Sequence, residues 1–367
     1  MEFRAAVLHE VGKPLAIERI GLADLHRGDV LVRIGASGLC HTDLEVMQGS
    51  VAYPLPIVLG HEGAGVVQAV GECVTQVAPG DHVVCSWNPH CGHCFYCERD
   101  QPILCEPFLA NQRQGRLPDG ATRYTLGGRP VHHFSVMSSH AEYCVVPESG
   151  AVRVPREIPF DRACLIGCGV MTGVGAVARL AQVEVGASVA VIGCGAVGLN
   201  CLQGARLQRA ETIIAIDTDP AKLAMARGFG ATHAVRADES AIEAVKTLTA
   251  GRGADCVFES AGAEAAMQLM LECVRPGGQA VILGKTNVNR RVSLRFGSLM
   301  GEKRIVRSSY GGARPQRDFP WLAQLYLDGE LKLDELISRR IGLEEINAGF
   351  DAMARGEIVR AVVTFAC

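Results

Sequence analysis

The sequence predicts an α/β protein of two domains: a β-rich domain, and a doubly wound parallel-sheet domain inserted into it. Three observations predict this. The chain has 367 residues, beyond the size at which a single core stops growing. Up to about residue 155 it reads as short β-type runs broken by Gly, Pro and Asp. From about residue 186 strands alternate with helices, the pattern of βαβ units on a parallel sheet.

In the first part "DVLVRIGASG", "GAGVVQAVG" and "GDHVVCSW" read as closely spaced strands and turns. In the second, "ASVAVIG" is a buried strand and "AVGLNCLQGARLQ" a helix. "ETIIAIDTD" is the next strand, and "PAKLAMARGFG" a helix ended by Gly230. "DCVFESAG", "AEAAMQLMLECV" and "GQAVILG" continue the alternation. The segment from Pro320 onward reads as helical before a final strand.

A net charge of -3 gives no electrostatic reason to expect nucleic acid or an anionic membrane as partner. Glu2, Arg4, His9, Glu10 and Lys13 leave no room for the apolar core of a signal peptide, and no later segment offers eighteen charge-free apolar residues. The expected setting is cytoplasmic. There, 15 cysteines point to metal ligation or burial rather than disulfides, and an odd number cannot all pair internally.

"VIGCGAVG" follows a strand and opens a helix. Gly193, Gly195 and Gly198 fit G-x-G-x-x-G: a tight turn, a close approach of pyrophosphate to backbone, and close helix–strand packing. The motif reads as a dinucleotide-binding turn, the other reading being a glycine-rich turn followed by a solvated strand-end Asp. Asp217 ends the next strand, where an acid accepts hydrogen bonds from the adenosine ribose hydroxyls and repels a 2′-phosphate, so NAD is favoured over NADP.

Cys91, Cys94, Cys97 and Cys105 follow C-x2-C-x2-C-x7-C. Four thiolates complete a tetrahedral zinc site and leave no open position, which makes the site structural; an iron–sulfur cluster is the chemical alternative. His90 and His93 nearby read as loop surface. A catalytic metal needs fewer protein ligands. Cys40, His61 and Cys168 are candidates, but nothing in their spacing links them.

"GHEGAGVVQAVGECV", "GDHV", the cysteine-rich loop, "GCGVMTGVGAV" and the terminal "GEIVRAVVTF", in that order, resemble the zinc-dependent alcohol dehydrogenases of the medium-chain dehydrogenase/reductase superfamily. The resemblance covers nearly the whole chain. It implies a GroES-like catalytic domain over 1–169 and 310–367 and an NAD-binding Rossmann domain over 170–309, in a homodimer or homotetramer. It implies two Zn2+ per chain: a catalytic ion on Cys40, His61 and Cys168, and a structural ion on the four clustered cysteines. Glu62 would stand beside the catalytic zinc, and Asp43 behind His61. Thr42 would pass the alcohol proton on, with Glu45 where the best-known relays have a histidine. His41, Lys222 and Arg360 would contact the cofactor's phosphates and ribose, and Thr172 and Val197 would flank the nicotinamide; a strand-edge surface charge is the other reading of Arg360.

By the same resemblance Val51, Trp87, Leu109 and Phe134 would line an apolar channel for a primary alcohol with a hydrophobic or aromatic tail, oxidised to its aldehyde. The alternatives are an S-hydroxymethylglutathione-type formaldehyde dehydrogenase and a nicotinoprotein that holds NAD tightly. Against the first, "MQGSVAYPLPIV" carries no acidic residue and Leu109 stands where that branch has an arginine. Lys285, in "VILGKTN", departs from the small or apolar residue usual in the family.

Overall fold

Two β-branched, glycine-containing strands carry the first unit: Asp29–Gly38 runs antiparallel to Gly63–Val70, with Ser37 opposite Gly63. Nine of the ten residues in Asp29–Gly38 are buried, so both faces of this strand meet core and the alternation of a half-exposed strand is lost. The computed structural model, which describes residues 1–366, extends this pair into a sheet. His82–Cys85 and Ala151–Arg153 lie on one side, and Arg360–Thr364 and Ile337–Ile341 on the other. Tyr143–Pro147 also pairs with Asp29–Gly38. Glu2–Leu8, Ala16–Leu22, Tyr124–Leu126, Arg129–His133 and Ile57–Val58 close a small barrel beside it.

This unit comprises residues 1–168 and the segment from Arg314 onward. Its C-terminal segment corrects the sequence expectation. Between the helices Pro315–Leu327 and Ile346–Ala354 stands a strand, Ile337–Ile341, parallel to Arg360–Thr364. Its sequence, ISRRI, hides the strand because three polar residues face solvent at the sheet edge, as edge strands commonly do.

The second unit, Gly169–Ala313, holds six parallel strands. Their order is His233–Arg236, Thr212–Asp217, Ser188–Ile192, Ala254–Glu259, Val274–Ile282 and Arg304–Arg307, that is, 3-2-1-4-5-6 in chain order. This is the doubly wound arrangement that binds dinucleotides at the carboxyl ends of its strands, where the strand order reverses. The helices Ala196–Leu207, Pro220–Gly228 and Glu264–Cys273 match the expected ones within a residue or two. Gly230, at φ +107°, follows the second of them.

The helical stretch Phe160–Leu180 is long and apolar enough to cross a membrane by composition, yet 72% of its apolar window is buried inside the protein. That hydrophobicity is accounted for by packing.

Candidate metal centre and nucleotide site

Strand pairing assembles the first metal centre. Gly38 N–H donates to Glu62 O (2.9 Å) and Leu39 N–H to Ala361 O (2.9 Å), so Cys40, His61, Glu62 and Arg360 emerge together at one end of three adjacent strands. Cys168 joins them from a helix: its Sγ lies 3.4 Å from His61 Nε2. The ligand atoms of Cys40, His61, Glu62 and Cys168 all fall within 4.8 Å of one another. Tetrahedral zinc with Zn–S and Zn–N bonds of about 2.3 and 2.0 Å separates neighbouring ligand atoms by about 3.6 Å, so the observed spacing fits that ion.

The three groups are electrostatically coupled. The S–H of Cys168 pushes Cys40 down, against burial, with Arg360 and His61 adding to the effect; Cys168 is correspondingly raised. Burial opposes a charge on His61, but Asp43 and Cys40 outweigh it and raise the imidazole. Asp43 Oδ1 lies 3.2 Å from His61 Nδ1, which places the proton on Nδ1 and leaves the Nε2 lone pair for a metal. Asp43 also accepts from Gly60 N–H (3.0 Å) and Cys40 N–H (3.2 Å), tying the backbone of two ligand segments to one carboxylate.

Glu62 is completely buried. Burial pushes its carboxyl up to about 8, with the Arg360 guanidinium pulling the other way. Arg360 Nη2 stands 3.3 Å from Glu62 Oε1 and 3.8 Å from Cys40 Sγ, and the side chain is 4% exposed. This corrects the surface-charge reading of Arg360: the residue starts a strand but is buried beside Glu62. Gly38 makes room for the pair, since a Cβ there would sit 2.4 Å from Glu62 Oε2.

Cys91, Cys94, Cys97 and Cys105 form the second centre, their sulfurs likewise within 4.8 Å of one another. Cys91 and Cys97 Sγ are 4.0 Å apart, close to the edge of about 3.8 Å that tetrahedral S4 zinc requires. The Glu106 N–H lowers the Cys94 thiol to about 6, and burial raises Cys105 to about 12. With all four positions thiolate, this is a closed, structural site.

In the second unit Gly193 N–H donates to Ile216 O (2.8 Å), binding the glycine turn to the neighbouring strand. A Cβ on Gly198 would lie 1.8 Å from Gly193 O, so only glycine allows that helix to pack. A Cβ on Gly195 would meet no atom within 4 Å, so the loop backbone is open at that position. Gly195 caps the helix without a side-chain bond, leaving its N–H groups for phosphate. Asp217 accepts from Cys194 N–H (2.7 Å) and Asp219 N–H (2.9 Å), which fixes the carboxylate beside the loop.

Residues 26–156 match the family model described as alcohol dehydrogenase GroES-like domain, and residues 196–328 that of zinc-binding dehydrogenase. The chain belongs to the zinc-dependent alcohol dehydrogenases. Over the full length of both chains it is 40% identical to S-(hydroxymethyl)glutathione dehydrogenase of Paracoccus denitrificans and to alcohol dehydrogenase class-3 of Cereibacter sphaeroides. It superimposes with TM-score 0.95 on an alcohol dehydrogenase zinc-binding domain protein from Burkholderia ambifaria, at 37% identity. On benzyl alcohol dehydrogenase from Acinetobacter calcoaceticus the score is 0.94 at 30% identity, and each pair is covered completely. It is therefore an NAD- and zinc-dependent oxidoreductase, with one catalytic and one structural zinc site.

His41, Thr42, Asp43 and Glu45 sit on the short helix His41–Met47 that follows Cys40. Thr172 and Val197 are half-buried, and Lys222 lies on the helix Pro220–Gly228 after Asp217. Of the expected channel residues, Phe134 lies with its ring edge-on to His61 at 5.5 Å. Val51 packs on the same core cluster as Phe134. Trp87 packs between two core clusters and against Phe108 (6.4 Å), and Leu109 is 48% exposed on the helix Glu106–Gln112. Sequence reasoning missed Tyr53, edge-on to Phe134 at 5.0 Å with its hydroxyl raised to about 12 by burial, and His140, buried near Asp43. A single aromatic in a proline-rich loop and a single histidine in a β-run carry no spacing signal.

Proposed function

We propose that the enzyme oxidises primary alcohols bearing an apolar or aromatic group to aldehydes, with NAD as acceptor. The aromatic wall of Phe134 against His61, backed by Tyr53, supports this reading. When bound, zinc lowers the pKa of the alcohol hydroxyl and NAD takes the hydride. Asp43 holds His61 in the ligating tautomer, Arg360 neutralises Glu62, and the Thr42 hydroxyl is the first acceptor for the alcohol proton, with Glu45 one turn further along the same helix. Asp217 and the glycine loop hold the adenosine half of NAD.

A second reading, oxidation of S-(hydroxymethyl)glutathione, is favoured by the full-length likeness to relatives of that name. Residues 47–58 contribute no charge to hold an anionic peptide, and Leu109 offers none either. NADH formation separates the two. Burying a phenyl ring stabilises the complex by about 2–3 kcal/mol, so benzyl alcohol should exceed ethanol in kcat/KM by on the order of 100-fold. Activity confined to formaldehyde with added glutathione would establish the second reading instead.

Asp217→Gly should raise the KM for NAD by about 10-fold, from the loss of charge-assisted hydrogen bonds, and should admit NADP. Unchanged NAD kinetics would remove Asp217 from the ribose site. We further propose a second copy of the chain as partner. Arg304–Arg307 is an open sheet edge, with Phe296 (76% exposed) and Met300 (60%) preceding it. Light scattering should show at least a dimer, reduced by Phe296→Asp.

A further inference from the structure

We infer that His140 is a positioning residue for the catalytic centre: held at Nδ1 by Ser37, it presents its Nε2–H to the Asp43 carboxylate, the group that orients the metal ligand His61. The inference rests on the zinc reading above.

The segment Ser139–His140 backs the His61 loop directly. Ser139 N–H donates to Gly60 O (2.9 Å) and His140 N–H to Leu59 O (3.0 Å). A Cβ on Gly60 would lie 2.4 Å from His140 N, and one on Gly63 2.7 Å from Ser139 Cβ, so the glycines flanking His61 and Glu62 are required by this contact. The His140 ring is fully buried, with Phe350 edge-on at 5.8 Å.

Its polar atoms form a chain. Ser139 Oγ is 2.7 Å from Ser37 Oγ, which is 2.9 Å from His140 Nδ1. His140 Nε2 has no hydrogen-bond partner among the described residues and stands 3.9 Å from Asp43 Oδ1. Either tautomer satisfies Ser37, because a hydroxyl both donates and accepts. The carboxylate decides between them: a proton on Nε2 points a positive dipole at Asp43, whereas the other tautomer would point a lone pair at a buried anion. The chain therefore runs Ser139 to Ser37 to His140, each hydroxyl donating onward. At 3.9 Å the last contact is electrostatic rather than a formed hydrogen bond, in a buried setting where such contacts are strong. His140 thus faces Oδ1, the Asp43 oxygen that also meets His61, while Cys40 N–H takes Oδ2, and His61 is oriented through the carboxylate.

The test is zinc release to a chelator, counted per chain, with the visible spectrum of the cobalt-substituted enzyme as a second readout. His140→Phe keeps the ring's size and removes its nitrogens; Ser37→Ala removes the group that holds Nδ1 and serves should the first variant fail to fold. Either should release one zinc about 10–100-fold faster and alter the cobalt spectrum, while the other zinc stays, and His140→Gln should restore part of the retention. An unchanged release rate and spectrum would overturn the inference, and so would equal acceleration of both zincs, which marks general loosening. A parent enzyme that holds only one zinc would instead contradict the two-zinc reading itself.

Discussion

His61→Ala leaves one zinc per chain in place of two and lowers kcat/KM by about 1,000-fold or more, because the Lewis acid contributes several kcal/mol of transition-state stabilisation. Cys168→Ser has the same two consequences, since the site then keeps two protein ligands that bind zinc well instead of three. The four clustered cysteines are untouched in both variants, so the second zinc remains. Metal analysis and NADH kinetics on the same preparations check this. Two zincs per chain in His61→Ala, or wild-type kcat/KM, would assign the chemistry elsewhere.

Arg360→Met lowers the melting temperature by about 5 °C. Above about pH 8, where the Glu62 carboxyl is ionised, the substitution removes the cation 3.3 Å from a fully buried carboxylate, and breaking a buried ion pair from one side costs about 3–5 kcal/mol. Glu62→Gln should cost a similar amount, because it strands the guanidinium instead. The double variant should recover much of the loss, since neither buried charge then remains. Thermal unfolding of the four proteins closes the cycle, and additive losses in the double variant would show that the two residues act independently.

The parts legible in the sequence are those written locally. The glycine loop, its strand and helix and Asp217 lie within one βαβ unit, and the structure places them as the 3.6- and 2-residue periods indicate. The cluster from Cys91 to Cys105 was legible for the same reason. Cys40, His61 and Cys168 were not linked by spacing: the register of Ser37 against Gly63 brings the first two together, and Cys168 joins from a residue separation of 107. Only resemblance named that trio. Arg360 shows a further limit. A charged residue at the start of a strand reads as surface, and its burial follows from a partner, Glu62, that only the pairing of Arg360–Thr364 with Asp29–Gly38 supplies. Ile337–Ile341 carries no strand signal because three successive residues, Ser338, Arg339 and Arg340, are polar and exposed at the sheet edge.

Two thiolates and one imidazole, gathered from three distant segments, would hold the zinc at which the alcohol reacts. Anomalous diffraction at the zinc edge, from crystals of the purified enzyme with NAD, tests it most directly. Two peaks per chain are expected, one among Cys91, Cys94, Cys97 and Cys105, the other bonded to Cys40, His61 and Cys168. A single peak at the four-cysteine loop, in crystals of enzyme that oxidises alcohols, would contradict it.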